Sequence, residues 1–220
     1  MNNVLELRQY TLKPGRRDEL IALFEREFIE SQEAEGMDVI GTFRDLDDPD
    51  RFVWLRGFPD MEARAKSLSA FYGGPVWKAH RNAANDTMID SDNVLLLKPA
   101  WSGSGFVDGC TRATVGTTAL PAGMVTATIC YFDTPVPNET VEVFRNNSGP
   151  ELLAAFVTEA SVNSFPALPV REGESVFVGF SSSIHATIEI HEKHLIRHEI
   201  LRLAPTARSK LRGVPQAGSA

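Results

Sequence analysis

Polar and apolar positions alternate with a period of two over VLELRQYTL, residues 4–12. Val4, Glu6, Arg8, Tyr10 and Leu12 fall on one face and Leu5, Leu7, Gln9 and Thr11 on the other, which predicts a strand closed by Pro14 and Gly15. The period then changes to helical over 16–35, with Leu20, Leu23, Phe24 and Phe28 on one stripe and Arg17, Asp18, Glu25, Arg26 and Glu30 opposite. Gly36 suits the C′ position of that helix. Two strand-like runs, 37–45 and 51–58, flank LDDPD and predict a hairpin. PDMEARAKSLSAFY starts with Pro and Asp and carries Met61, Ala65, Leu68 and Phe71 at helical spacing. After GGP, VWKAHRNAAN predicts a second short helix and NVLLLKPA, 93–100, a buried strand. The order β-α-β-β-α-β is that of a ferredoxin-like unit, a four-stranded antiparallel sheet with helices on one face.

The second half repeats this order imperfectly. MVTATICYF reads as a strand, PNETVEVFRNN as a short helix, LLAAFVTEASV and SVFVGFSSS as strands, 182–195 as a shortened helix and HEILRLAP as the closing strand. The expected fold class is therefore α+β, with tandem ferredoxin-like units at 1–100 and 113–210. WSGSGFVDGCTR, 101–112, is the linker between them, 113–121 an extra extended piece, and 211–220 a flexible tail.

With 22 Lys and Arg against 29 Asp and Glu, the formal charge of −7 and the lack of a basic block argue against a nucleic-acid partner. Cys110 and Cys130 stand in no metal-ligand or redox spacing. No stretch approaches the ~20 apolar residues of a membrane span, and Glu6 and Arg8 interrupt the place of a secretory apolar run. A cytoplasmic protein with no membrane partner is expected.

LELRQYTLKPGRRDEL, DRFVWLRGFPDMEAR, FYGGPVWKAHR and NVLLLKP together resemble the NIPSNAP family of the dimeric α/β barrel superfamily, over residues 4–100. The second half lacks the ELRQY-like opening and the GPVW segment. The resemblance implies two ferredoxin-like sheets packed face to face into a barrel, within one chain or between chains. It implies no single reaction, since superfamily relatives include cofactor-free monooxygenases, haem enzymes, lactone isomerases and proteins without assigned activity.

In such a fold one sheet face meets the helices and the other looks into the barrel. Leu5, Leu7, Val53, Leu55 and Gly57 are expected on the helix side, leaving Glu6, Arg8, Tyr10, Phe52, Trp54, Arg56 and Phe58 for the barrel. Two arginines, a carboxylate and several aromatics would then line a small-molecule site. The alternative is a cross-strand ion pair, Glu6 with Arg8, packed by Trp54 and Tyr10 between the sheets. Tyr72 and Trp77 flank the GGP turn and extend the expected ligand-binding set. His80 and Glu6 are the expected proton acceptors, with surface placement the competing account for His80. His191, His194 and His198 would share a face on a continuous helix, but the strand expected from about Ile196 separates them, and no metal or cofactor is expected. No phosphate loop, GxGxxG or GxSxG occurs. Two function classes follow: a cofactor-free oxygenase or isomerase with an anionic or aromatic substrate, or a non-catalytic ligand-binding or assembly protein. A symmetric homodimer is expected in either case.

Overall fold

The computed structural model describes residues 2–107, 111–182 and 194–215. In the first half, β1 (Val4–Leu12) leads into helix α1, which is α-helical at Arg17–Leu23, makes a π-helical turn at Phe24–Phe28 and resumes at Ile29–Ala34. Gly36 follows with a φ of 86°, the left-handed conformation that ends a helix without a Cβ clash. Strands β2 (Asp38–Asp45) and β3 (Arg51–Phe58) form the hairpin, and α2 (Met61–Gly73) starts where Asp60 accepts the Ala63 N–H at 2.7 Å. Helix α3 (Pro75–Thr87), with Pro at its first position, precedes β4 (Met88–Pro99). The second half supplies β5 (Gly123–Phe132), α4 (Asn138–Asn147), β6 (Leu152–Thr158), β7 (Ser175–Ser181) and β8 (Leu195–Pro205). The helix expected over 182–195 falls mostly outside the described residues.

Each half forms a four-stranded antiparallel sheet, in the orders β4-β1-β3-β2 and β6-β7-β5-β8. Two seams join them. Leu97–Pro99 pair with Phe156–Thr158, and Phe43–Asp45 with Leu203–Pro205. The result is a closed eight-stranded antiparallel barrel within one chain, the tandem ferredoxin-like architecture that the sequence predicts.

The orientation of the first sheet is the reverse of the expected one. Leu5, Leu7, Val53 and Leu55 point into the barrel, where they meet Val125, Ala127, Val176, Val178, Leu201 and Leu203. Tyr10, Phe52, Trp54 and Phe58 lie on the outer face, under Phe24, Phe28, Leu68 and Phe71 of the helices. Alternation establishes which residues share a face, not which way that face turns. The barrel interior is closed by two apolar sheet faces, where unpaired charge is costly, whereas the helices offer polar partners.

Of the expected linker, Ser104 is buried and donates its hydroxyl to the Ala155 carbonyl at 2.8 Å, and Phe106 packs against the barrel core; residues 108–110 lie outside the described ones. Of the expected tail, residues 211–215 are described and are held to the barrel by backbone bonds. The Leu211 N–H bonds the Ile40 carbonyl at 2.9 Å, and β9 (Val214–Pro215) pairs with Gly123 and Met124. Residues 113–121 form neither helix nor strand. No helix among the described residues is long and apolar enough to cross a membrane.

Candidate functional site

Between the first sheet and its helices, β1 and β3 place Glu6 beside Arg56 and Arg8 beside Trp54 in antiparallel register. Glu6 Oε2 accepts from Arg8 Nη1 and Arg56 Nε, both at 2.8 Å, and Oε1 accepts from Arg64 Nε at 2.7 Å. All four side chains are fully buried. Three guanidiniums share one carboxylate, a buried surplus of two positive charges. Arg8 Nε donates to the Tyr10 hydroxyl at 3.0 Å, and Arg56 Nη1 to Gln32 Oε1 at 2.9 Å. Gln32 is held in turn by its Nε2 donating to the Phe28 carbonyl at 3.0 Å. Arg64 Nη1 reaches into the second half, donating to Asn163 Oδ1 at 2.9 Å and Ser164 Oγ at 3.1 Å.

The hydrogen-bonding capacity of the cluster is not exhausted. Nη2 of Arg8, Arg56 and Arg64 and Nε1 of Trp54 are buried with no hydrogen-bond partner among the described residues. Aromatic faces offset part of that cost. Trp54 lies 5.4 Å from Arg8 Cζ and 5.0 Å from Arg56 Cζ, and Phe58 and Tyr72 lie 5.6 and 6.0 Å from Arg56 Cζ. Burial alone would raise the Glu6 carboxyl, but Arg56, Arg8 and Arg64 outweigh it and hold the group well below the usual carboxylate range. Burial pushes the Tyr10 phenol up against the opposing pull of Arg8, so Tyr10 keeps its proton as a donor.

A cavity of about 30 Å³ adjoins the cluster, walled by Tyr10, Trp54, Phe28, Gln32, Tyr72 and Trp77 among others. That is about one water's share of liquid. Phe24 and Phe28, the ends of the π-helical turn, both face it; such turns recur at functional sites. A larger groove, about 760 Å³, runs between β4, β6 and the start of α4 and contains none of the residues singled out from the sequence.

The structure thus gathers Glu6, Arg8, Tyr10, Trp54, Arg56, Phe58, Tyr72 and Trp77 in one layer, outside the barrel rather than within it. His80 is not in the cavity wall. Its Nε2 is 3.5 Å from Glu27 Oε2 and its ring 6.3 Å from Phe28, at the outer edge of the layer. His194 sits before β8, 3.0 Å from Asp133, and His198 lies within β8 opposite Cys130, so these two share no helix. His191 lies outside the described residues.

Sequence reasoning missed Gln32, Arg64, Asn163 and Ser164. Two carried a signal. Arg64 stands on the buried stripe of α2 with Ser67, Leu68 and Phe71, and Gln32 continues the Ile21, Phe24, Phe28 stripe of α1. A long polar side chain on an apolar stripe needs a buried partner.

The NIPSNAP family model matches residues 5–102. Over nearly the whole chain the fold is similar to two solved structures. A candidate monooxygenase from Lactobacillus acidophilus NCFM has a TM-score of 0.55 at 14% identity, covering 98% of this chain and 100% of that one. A candidate monooxygenase from Fusobacterium nucleatum has a TM-score of 0.55 at 10% identity, covering 98% and 97%. An uncharacterised NIPSNAP-like domain protein from Burkholderia xenovorans is 28% identical over 44% of this chain and 85% of its own, with a TM-score of 0.41. No curated protein matches the chain.

Proposed function

We propose that the chain binds a small anionic, conjugated molecule against the helix-facing side of its first sheet and transforms it without a cofactor, as a monooxygenase or an isomerase. One observation carries this reading: three buried arginines share a single carboxylate and keep N–H groups without a partner among the described residues, while Tyr10, Gln32, Trp54 and Tyr72, which contact these arginines, wall the adjoining aromatic cavity. Donors fixed in a dry site stabilise an enolate or phenolate oxygen more strongly than water does. Arg8, Arg56 and Arg64 are assigned that role, and Tyr10, Trp54, Tyr72 and Trp77 the aromatic wall. Glu6 organises the arginines; a carboxylate held so low is a poor base. His80, at the edge of the layer, is the remaining proton acceptor of the original pair. A cavity of about 30 Å³ suits a water or a diatomic molecule, so a ring needs Tyr72 or Trp77 to give way.

That small volume favours a second reading, in which the cluster is a non-catalytic tie between the helices and the sheet. Arg56→Met separates the two. On the first reading it weakens binding of anionic aromatics such as benzoate by roughly ten- to a hundredfold, measured by titration calorimetry, and leaves thermal stability nearly unchanged. If no anionic aromatic raises the melting temperature of either form, the site reading is abandoned. We further propose a symmetric homodimer, the commonest closure; the barrel itself needs no second chain. Light scattering that returns only the monomer mass at micromolar concentration rejects it.

A further inference from the structure

The arginine cluster is covered from two sides by regular elements, the sheet below and α1 and α2 above. Over Arg64 the cover is different: an irregular segment, 159–174, that joins β6 to β7 in the second half. Its stems are pinned to β4 by the Glu159 N–H on the Leu96 carbonyl and the Arg171 N–H on the Val94 carbonyl, both near 2.9 Å. Between them, residues 160–170 make no backbone hydrogen bond outside the segment among the described residues. The segment holds itself together instead. Asn163 Oδ1 accepts the Phe165 N–H, Asn163 Nδ2 donates to the Leu168 carbonyl, and Leu168 N–H bonds the Phe165 carbonyl. Pro166 and Pro169 stiffen this tip, and Gly173, at a φ of 78°, occupies the conformation that favours glycine. Arg171 also fastens its stem through Nη1 on Asn93 Oδ1 at 3.2 Å, and the tip itself meets the first half through the two hydrogen bonds from Arg64, the packing of Leu168, and Phe165 stacked on Tyr72 at 5.8 Å with 21° between planes.

We infer that segment 159–174 is a lid, latched by Arg64 on Asn163 and Ser164 and by Phe165 on Tyr72, through which the second half controls access of anions to the arginine cluster of the first. This rests on the anion-site reading. The latch meets the two groups that matter: Arg64 is fully buried with Nη2 unpartnered, and Tyr72 walls the cavity. An anion drawn to Arg64 competes with the neutral oxygens of Asn163 and Ser164, and a bond with charge on both partners is stronger than one with charge on the donor alone. Release of the tip frees Tyr72 from its stack and gives the ring-sized space that the closed cavity lacks.

The chain has three tryptophans, and in a Trp101→Phe background Trp54 and Trp77 report on the site. Iodide, an anionic quencher, reads access independently of the ligand, and benzoate reads binding. Asn163→Ala with Phe165→Ala is expected to raise iodide quenching severalfold and to speed both association and dissociation of benzoate in stopped-flow fluorescence, with the far-UV spectrum unchanged. Quenching and both rates equal to the parent overturn the lid, even where Arg56→Met still weakens benzoate binding. A rise in quenching with no benzoate binding to any form keeps the lid and removes the anion-site reading. Should the double variant unfold, Ser164→Ala, which removes one latch contact and no packing, gives the same comparison on a smaller scale.

Discussion

The two halves share an architecture and differ in what lies between sheet and helix. Leu5 pairs with Leu97 and Val125 with Leu203, each two residues before the proline that ends its strand. On that alignment Glu6 corresponds to Thr126, Arg8 to Thr128, Arg56 to Ser181 and Trp54 to Gly179. Glu6, Arg8 and Arg56 are each replaced by a hydroxyl, and the indole by nothing. The second half fills its layer with Cys130, Phe132, Phe144 and Phe177, the last two stacked at 3.8 Å and nearly parallel. Burial pushes the Cys130 thiol up to about 12, so it is an inert packing group. Among the described residues one scaffold therefore carries two kinds of layer, a charged one with unused donors and an uncharged one, and the second half reaches across to complete the charged one.

The largest expected effects come from breaking either layer. Glu6→Gln leaves three buried guanidiniums without their carboxylate and is expected to cost about 3–5 kcal/mol in urea unfolding. Phe177→Ala in the second half costs about the same, about 3–5 kcal/mol, through the cavity it leaves. The difference lies in pH. An unfolded Glu6 takes up a proton near 4.5 while the folded one stays ionised, so its contribution is complete above 4.5 and is lost as the pH falls below it. Urea unfolding between pH 3 and pH 6 should therefore lose its acid-side slope in Glu6→Gln and keep it in Phe177→Ala; equal slopes would place the acid sensitivity elsewhere. The smallest effect is expected at the counterpart position. Thr126 is buried and its hydroxyl has no partner among the described residues, so Thr126→Val should stay within about 1 kcal/mol of the parent.

Much of this was legible from the sequence. The period-two run at 4–12, the helical run after it and the LDDPD hairpin positioned the first unit, and the same grammar positioned the strands of the second. Alternation also grouped Glu6, Arg8 and Tyr10 on one face and Trp54, Arg56 and Phe58 on its neighbour. The direction of that face was not legible, because both faces of β1 and β3 are buried and neither shows a solvent side. Arg64 was within reach, as a guanidinium on an apolar stripe. Asn163 was not, since its contact with Arg64 joins a helix of one unit to an irregular segment of the other. No local pattern encodes such a distance.

The two seams that close the barrel, each three residue pairs long, bear on how the chain reaches this state. Each sheet is assembled from segments within its own half, while the seam of Phe43 with Pro205 joins residues 162 positions apart (205 − 43). Pairings so remote in sequence incur the loop-closure entropy of everything between them. Folding is therefore expected to be slow for a chain of this size, with both sheets formed before the seams close. The uncovered apolar faces of Leu5, Val53, Val125 and Val178 are then the surfaces at which the half-made protein is prone to self-association.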